Sequence, residues 1–243
     1  MPQKKLILVG AGPGDPELIS LKGIKALQQA NVVMYDALVS EELLQHAPNA
    51  IKLFCGKRAG THYMKQDEIN RQIVEKANQH GVVVRLKGGD PFIFGRGQEE
   101  IEYAEKHGIP AEIIPGISSA TALATLHQIP LTKRGITESV WITTGTTSCG
   151  ELSEDIELAA QSTATVVILM GIGKLAEIVN LFTKYKTEHY PIAIIQNGTL
   201  SDEKIVCGHL STIQQKALEA NISSPAVIIV GKVVDCSQIL HIR

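Results

Sequence analysis

Residues 6–23 read LILVGAGPGDPELISLKG: an apolar run, a glycine-rich turn and then a helical pattern. This order is typical of a β-strand that ends in a loop where the backbone approaches a ligand closely. The spacing of Gly10, Gly12 and Gly14 departs from the G-x-G-x-x-G of dinucleotide-binding proteins, because the third glycine is misplaced. Asp36 ends the next apolar run, near where a ribose-binding acid would stand, so a dinucleotide site remains a weaker alternative.

Strand-length apolar runs alternate with longer helical patterns along the chain. The two clearest helices are expected at residues 65–80 and 97–108, the first with an apolar face and a stop at Gly81. This alternation predicts an α/β protein with largely parallel sheets. The expected strands span residues 6–10, 31–36, 51–54, 82–88, 111–116, 139–145, 164–171, 191–198, 204–208 and 226–231.

Ten strands are many for one doubly wound sheet, and the pattern changes along the chain. Up to Pro115 strands and helices alternate regularly, whereas after Arg134 the strands come closer together. The segment QNGTLSDEKIVCGHLS at 196–211 is typical of a turn followed by a hairpin-like element. We therefore expect two α/β domains, residues 1–116 and 117–243.

Bulk properties exclude several classes of protein. The chain has 243 residues and a formal net charge of −2, which gives no global reason to expect binding to nucleic acid or an anionic membrane. No apolar run is long enough to span a bilayer, and the N-terminus has no signal-peptide pattern. The four cysteines form no CxxC pair and the eight histidines no metal-ligand spacing. These features predict a cytoplasmic protein with free, buried thiols and no metal.

Several predicted strands end in Gly, Asp or Asn, and in open parallel sheets ligands bind outside the carboxyl ends of the strands. The loop LKGGDPFIFGRGQEE at 86–100 is the most informative of these ends. Its GGD segment at 88–90 would let main-chain amides face a ligand, and its carboxylate could accept hydrogen bonds from a ribose or an ammonium group. The alternative is a plain turn, with Phe92 and Phe94 in the core.

These two loops, together with VVMYDALVS, GKRAGTHYMKQDEIN, IIPGISSA, IPLTKRG, ILMG, IQNGT and SPAVIIVGKVV, closely resemble the tetrapyrrole (precorrin) methyltransferase family. The resemblance runs from about Leu6 to Val234, with the motifs in family order. It implies a non-Rossmann fold of two α/β domains, with S-adenosylmethionine (SAM) bound in the cleft between them. It also implies a homodimer.

The strings GKRAG, LKGGDPFIFGRG and QDEIN are similar to family members that act on uroporphyrinogen III. The implied reaction methylates carbons 2 and 7, giving precorrin-2 through precorrin-1 and two molecules of S-adenosylhomocysteine. The product would serve sirohaem or cobalamin biosynthesis. The alternatives are a methyltransferase acting on a later precorrin or cobalt-factor intermediate, and a SAM-binding protein without turnover.

Motif by motif, the resemblance implies roles for individual residues. Asp36 matches the proton acceptor and Lys57 the proton donor. The alternative for Asp36 is an N-terminal cap or a turn residue, and that for Lys57 is a purely electrostatic contact with a carboxylate. Met170 alone would fit core packing equally well. The implied SAM-binding residues are Pro13, Gly88, Gly89, Asp90, Ile93, Ser118, Ser119, Met170 and Gly198.

The implied substrate carries eight carboxylates, so a chain of net charge −2 must concentrate cations locally. Arginine suits bidentate capture of a carboxylate. Solvated surface charges are the alternative for each candidate. Relatives commonly have His at the position of Lys133, so a cationic role is expected there rather than an imidazole one. The candidate substrate-binding residues are Arg58, Lys87, Arg96, Lys133 and Arg134.

Overall fold

The computed structural model describes residues 4–56 and 64–236. The chain divides into two compact units, the first ending at Ser118 and the second beginning at Ser119. Each unit contains a five-stranded sheet with helices, so the predicted class of two α/β domains is confirmed. The sequence-based boundary after Gly116 lies two residues before the observed division.

The elements of the first unit are β1 (Lys5–Gly10), α1 (Leu21–Gln28), β2 (Val32–Tyr35), β3 (Ile51–Phe54), α2 (Gln66–His80), β4 (Val82–Lys87), α3 (Gly97–Lys106) and β5 (Ala111–Ile114). The five strands form a fully parallel sheet of order β3-β2-β4-β1-β5. Parallel neighbours require crossover connections, and helices supply them. Gly81 caps the C-terminal end of α2, and its φ of 104° is accessible mainly to glycine.

Both faces of this sheet are covered, as expected for parallel strands. Leu6 and Leu8 of β1 pack on the side of α2 and α3, whereas Ile7 and Val9 pack on the side of α1. This alternation follows from the two-residue period of a strand. Residues of β2 and β4 alternate in the same way, which decides the face on which their last side chains lie.

The elements of the second unit are α4 (Ser119–Leu126), β6 (Val140–Thr144), α5 (Asp155–Gln161), β7 (Thr165–Leu169), α6 (Leu175–Phe182), β8 (Pro191–Gln196), β9 (Lys204–His209), α7 (Ile213–Glu219) and β10 (Ala226–Val230). Its sheet is mixed, with the order β6-β7-β10-β8-β9. Among the neighbouring strands of this sheet only β6 and β7 are parallel, so the expectation of largely parallel sheets is wrong here, because an apolar run does not encode strand direction. The antiparallel pair β8 and β9, joined by the short connection 197–203, is the expected hairpin.

Two bulk properties can be read from the described residues. None of the helices in this part of the chain is both long and apolar enough to cross a membrane. Cys55, Cys149 and Cys207 are free thiols. Cys149 is exposed, so the expectation of buried thiols is wrong for that residue.

Candidate active site

Three glycines from neighbouring strand ends lie against one another at the carboxyl edge of the first sheet. Gly10 ends β1, while Gly89 and Gly116 follow β4 and β5. A Cβ on Gly10 would lie 2.7 Å from the carbonyl oxygen of Gly89, and a Cβ on Gly116 would lie 2.6 Å from the Cα of Gly10. No side chain fits at this three-glycine junction, so only backbone groups face outward there.

The GGD segment is tied to both neighbouring loops. The Gly12 amide donates a hydrogen bond to the Gly89 carbonyl at 3.3 Å, and the Gly89 amide donates one to the Gly12 carbonyl at 2.7 Å. The Asp90 carboxylate accepts hydrogen bonds from the amides of Phe92 at 2.8 Å and Gly116 at 3.0 Å. Asp90 therefore joins the loop after β4 to the loop after β5, which fixes the edge of the junction.

The loop after the GGD segment presents apolar side chains to solvent. Phe92 and Phe94 are 47% and 46% exposed, and Ile93 between them is also exposed. The alternative that both phenylalanines belong to the core is therefore wrong. Arg96, which precedes α3 with a φ of 58°, makes a two-pronged ion pair with Glu99 and lowers the pKa of that carboxyl by hydrogen bonding. An apolar surface beside an exposed guanidinium suits a flat ligand with carboxylate arms.

Asp36 lies directly after β2, on the face of the sheet that α2 and α3 cover. Its Oδ1 accepts a hydrogen bond of 2.5 Å from Nη2 of Arg85, and Nζ of Lys87 lies 3.8 Å from its Oδ2. Both cations also contact Oε1 of Glu100. Nε of Arg85 lies 3.3 Å from this oxygen, and Nζ of Lys87 lies 2.8 Å from it. We call Asp36, Arg85, Lys87 and Glu100 the charged cluster.

The position of Lys87 disagrees with its predicted role as a substrate contact. It is only 4% exposed, and its ammonium group is paired with the two carboxylates of the charged cluster. Burial and the neighbouring Arg85 charge lower the pKa of Lys87 below its usual value. The alternation of β4 explains the burial, because Lys87 follows Val83 and Arg85 on the covered face. The geometry favours a structural role.

Arg85 and Cys55 complete the surroundings of Asp36. Although burial alone would lower the pKa of the Arg85 guanidinium, Glu100 and Asp36 hold that pKa above its usual value. Burial raises the pKa of the Cys55 thiol to about 11. Cys55 is therefore a protonated packing residue at neutral pH.

Three of the predicted SAM-binding residues, Ser119, Met170 and Gly198, lie in the second unit. Met170 follows β7 with a φ of 53° and is 52% exposed, so the alternative of core packing is wrong. Its carbonyl accepts a hydrogen bond of 2.9 Å from the Thr146 hydroxyl, which anchors the turn. Gly198 lies in the loop between β8 and β9, and a Cβ there would reach 2.5 Å from Leu123 of α4. The loop thus lies close against α4.

The other predicted residues are placed as follows. Gly88 packs against Leu38, whose Cβ would be 2.9 Å from a Cβ at that glycine. Pro13, Ser118 and Ser119 are partly buried, the first in the loop after β1 and the two serines around the start of α4. Lys133 and Arg134 are exposed in a turn before β6. Lys57 and Arg58 lie outside the described residues.

Sequence reasoning missed Arg85 and Glu100. A signal for Arg85 was present, since a charged residue interrupts the apolar run VVVRL of a predicted strand. Such a residue needs a buried partner. The partner could not be read from the sequence, because Glu100 looks like any acidic residue in the first turn of a helix.

Comparison with known proteins agrees with these features. The family model of tetrapyrrole (corrin/porphyrin) methylases matches residues 5–214. The uroporphyrinogen-III C-methyltransferase of Methanocaldococcus jannaschii is 47% identical over 95% of this chain and 97% of its own length. A crystal structure of the Thermus thermophilus uroporphyrin-III C-methyltransferase, complexed with S-adenyl homocysteine, has a TM-score of 0.82 at 36% identity and covers 96% of this chain and 99% of that one. A cobalt precorrin-4 methyltransferase has a TM-score of 0.86 at 30% identity, with 96% of each chain covered. This chain therefore belongs to the tetrapyrrole methylases.

Proposed function

We propose that this protein is a SAM-dependent C-methyltransferase that converts uroporphyrinogen III to precorrin-2 through precorrin-1. The observation that carries the proposal is the 47% identity, over nearly the whole of both chains, to an enzyme named for that activity. Fold similarity does not discriminate, because the cobalt precorrin-4 enzyme superposes slightly better than the uroporphyrin-III enzyme. Sequence identity favours the uroporphyrin-III enzyme, at 36% against 30%.

Each unit by itself offers groups that suit one end of SAM. The three-glycine junction exposes backbone amides and carbonyls, which fit a zwitterionic amino-acid group. Exposed Met170 offers a soft apolar surface to a purine. Asp90 acts in this proposal mainly by ordering two loops, since both of its oxygens already accept backbone hydrogen bonds. The proposed SAM-binding residues remain Pro13, Gly88, Gly89, Asp90, Ile93, Ser118, Ser119, Met170 and Gly198.

The substrate is an apolar macrocycle with eight carboxylates on its rim. Exposed Phe92 and Phe94 beside Arg96 provide an apolar surface next to a cation. Lys133 and Arg134 are exposed and so available to further carboxylates. The family resemblance adds Arg58 to these contacts, whereas the buried ammonium group of Lys87 does not reach the substrate in this proposal. Cations gathered at the site would offset the unfavourable net charge of the chain.

When bound, SAM supplies an activated sulfonium methyl group to a nucleophilic pyrrole carbon. The chain contributes alignment of the two reactants, which is worth roughly 7–11 kcal/mol in ideal cases. It also contributes a base for the proton that the methylated, electron-poor ring must lose. We assign that base to Asp36, which is partly exposed at a strand end, and the complementary proton donor to Lys57. A positioned base adds on the order of a hundred- to ten-thousand-fold in rate.

An anaerobic incubation with uroporphyrinogen III and methyl-labelled SAM tests the proposal, with mass analysis of the tetrapyrrole. Two added methyl groups would support it. No transfer by a protein that binds S-adenosylhomocysteine would refute it and point to a later corrinoid intermediate. Asp36→Asn should lower kcat at least a hundredfold and change the affinity for S-adenosylhomocysteine less than threefold, by the magnitude of general-base catalysis. Asp155→Asn, at an exposed helix start, is the matched control.

Homodimeric assembly and a cytoplasmic location are part of the same proposal. The dimer is expected from the family resemblance, and sedimentation of the purified chain tests it. The cytoplasm is expected from the free thiols and from the biosynthetic activity of the relatives. Fractionation of cells that express the protein tests the location.

A further inference from the structure

We propose that Arg85 and Glu100 are positioning residues that hold one oxygen of the Asp36 carboxylate, so that the other is left to accept the proton from the methylated substrate. The inference rests on the proposed function, in which Asp36 is the base. It adds two residues that would touch neither SAM nor the tetrapyrrole. Their effect on the reaction would pass through Asp36.

Asp36 is attached to β4 at two points. Its amide donates to the carbonyl of Leu86 at 3.3 Å, and its Oδ1 accepts from Nη2 of Arg85 at 2.5 Å. No described residue donates a hydrogen bond to its Oδ2, and Nζ of Lys87 lies 3.8 Å from that oxygen. With the backbone and Oδ1 fixed, rotation of the carboxylate is restricted. Oδ2 is then the oxygen with lone pairs left to take a proton.

Arg85 is itself held in one orientation. Its Nη1 donates to the carbonyls of Met34 at 3.4 Å and Leu86 at 3.3 Å, and its Nε contacts Oε1 of Glu100 at 3.3 Å. All three nitrogens of the guanidinium are therefore engaged, across β2, β4 and α3. A planar, fully engaged guanidinium transmits the position of the sheet to the carboxylate that it binds.

Glu100 is the centre of the charged cluster. It is fully buried, and its Oε1 also accepts from Nζ of Lys87 at 2.8 Å and from Nε2 of Gln66 at 3.1 Å. The two carboxylates and the two basic groups pair within the cluster. The charged cluster therefore carries little uncompensated buried charge.

The different exposure of the four side chains in the charged cluster indicates that the cluster has a role beyond stabilising the fold. The side chains of Arg85, Lys87 and Glu100 are 2%, 5% and 0% exposed, whereas that of Asp36 is 28% exposed. Replacing a buried ion network by apolar residues is often neutral or stabilising, so stability alone does not require four charges here. Only the member that reaches the surface can meet a ligand. Arg85, which Glu100 orients, holds that member in place.

A double-mutant cycle in turnover tests the proposal. Arg85→Lys keeps the charge but loses the planar fork. We expect it to lower kcat for methyl transfer about 10- to 100-fold in the wild-type background, with KM for SAM changed less than threefold. In the Asp36→Asn background the same change should lower kcat less than twofold, because the positioned oxygen is already gone. Arg71→Lys, on the exposed side of α2, is the matched control and should have no effect in either background.

An equal loss in both backgrounds, or no loss in either, would overturn the proposal. Should Arg85→Lys fail to fold, Glu100→Gln offers a nearly isosteric change that loosens Arg85 and should show the same dependence on Asp36. The cycle can also be read without activity, in the equilibrium constant of unfolding in urea. There, Arg85→Lys and Asp36→Asn should be coupled at least threefold, and additive effects would refute the positioning contact even if the enzyme proved to act on another substrate.

Discussion

Substituting Gly116 by alanine should open the three-glycine junction. The new Cβ would lie 2.6 Å from the Cα of Gly10, and ordinary contacts between such atoms begin at 3.4 Å, so β1 and β5 would have to separate by about 0.8 Å at this edge. The neighbouring atoms are backbone and cannot turn away. The carbonyl oxygen of Gly89, which the new Cβ would also crowd, lies in the ladder that joins Gly12 to the GGD segment.

Two effects oppose each other in this variant. Overpacking costs about 1–3 kcal/mol, whereas replacing glycine by alanine stabilises by about 0.4–1 kcal/mol through the unfolded chain. The cost of overpacking should exceed the gain, leaving a net destabilisation of up to about 2.6 kcal/mol. The displaced edge should also lose a hydrogen bond to a charged group of the ligand, worth about 1.5–3 kcal/mol, or roughly 10- to 100-fold in affinity.

Calorimetric titration with S-adenosylhomocysteine measures the affinity, and urea unfolding followed by circular dichroism measures the stability. Trp141 is the single tryptophan and lies in β6 of the second unit, so its fluorescence follows the unfolding of that unit, whereas circular dichroism follows the whole chain. The control is Gly173→Ala, because a Cβ on Gly173 would meet nothing within 4 Å. Wild-type affinity in Gly116→Ala would refute the argument that close backbone approach builds the site.

Three further predictions concern stability and reactivity. At pH 8 iodoacetamide should label exposed Cys149 quickly and Cys55 only after unfolding, because burial raises the pKa of the Cys55 thiol to about 11. Peptide mass analysis measures the labelling of each cysteine, and equal rates for the two in the folded protein would contradict this prediction. Hydrogen bonds from two lysines lower the pKa of Glu112. Glu112→Gln should therefore lower the free energy of unfolding by well under 1 kcal/mol at pH 7, and should not change it at a pH below that lowered pKa. Urea titrations at the two pH values measure this difference. Phe182→Ala should destabilise the second unit by about 3–5 kcal/mol in tryptophan-detected unfolding, whereas exposed Leu158→Ala should change it by less than about 0.5 kcal/mol.

The pattern of strands was predictable, but their directions were not. All ten expected strands are present, because each is a short apolar run bounded by turn residues. The antiparallel placement of β10 between β7 and β8 was missed. The same apolar alternation serves a strand in either direction, so only long-range pairing decides.

The position of the GGD segment could be predicted from the sequence, but the exposure of the apolar side chains in the loops could not. The GGD segment and its place after β4 followed from the sequence, because glycines at a strand end indicate close backbone approach. The exposure of Phe92, Phe94 and Met170 did not follow. Large apolar side chains are usually buried, and these three are exposed in loops or turns where each is near a backbone of positive φ.

The sequence by itself determined the order of the elements, the glycine-rich carboxyl ends and the family, since each depends on residues close together in the chain. Only the tertiary structure decided that Lys87 is a buried partner of Glu100, and that Arg85 reaches Asp36. These contacts join residues 13 and 49 positions apart. They exist because β2 and β4 pair in one register while α3 packs on a single face of the sheet, and no local pattern encodes either condition.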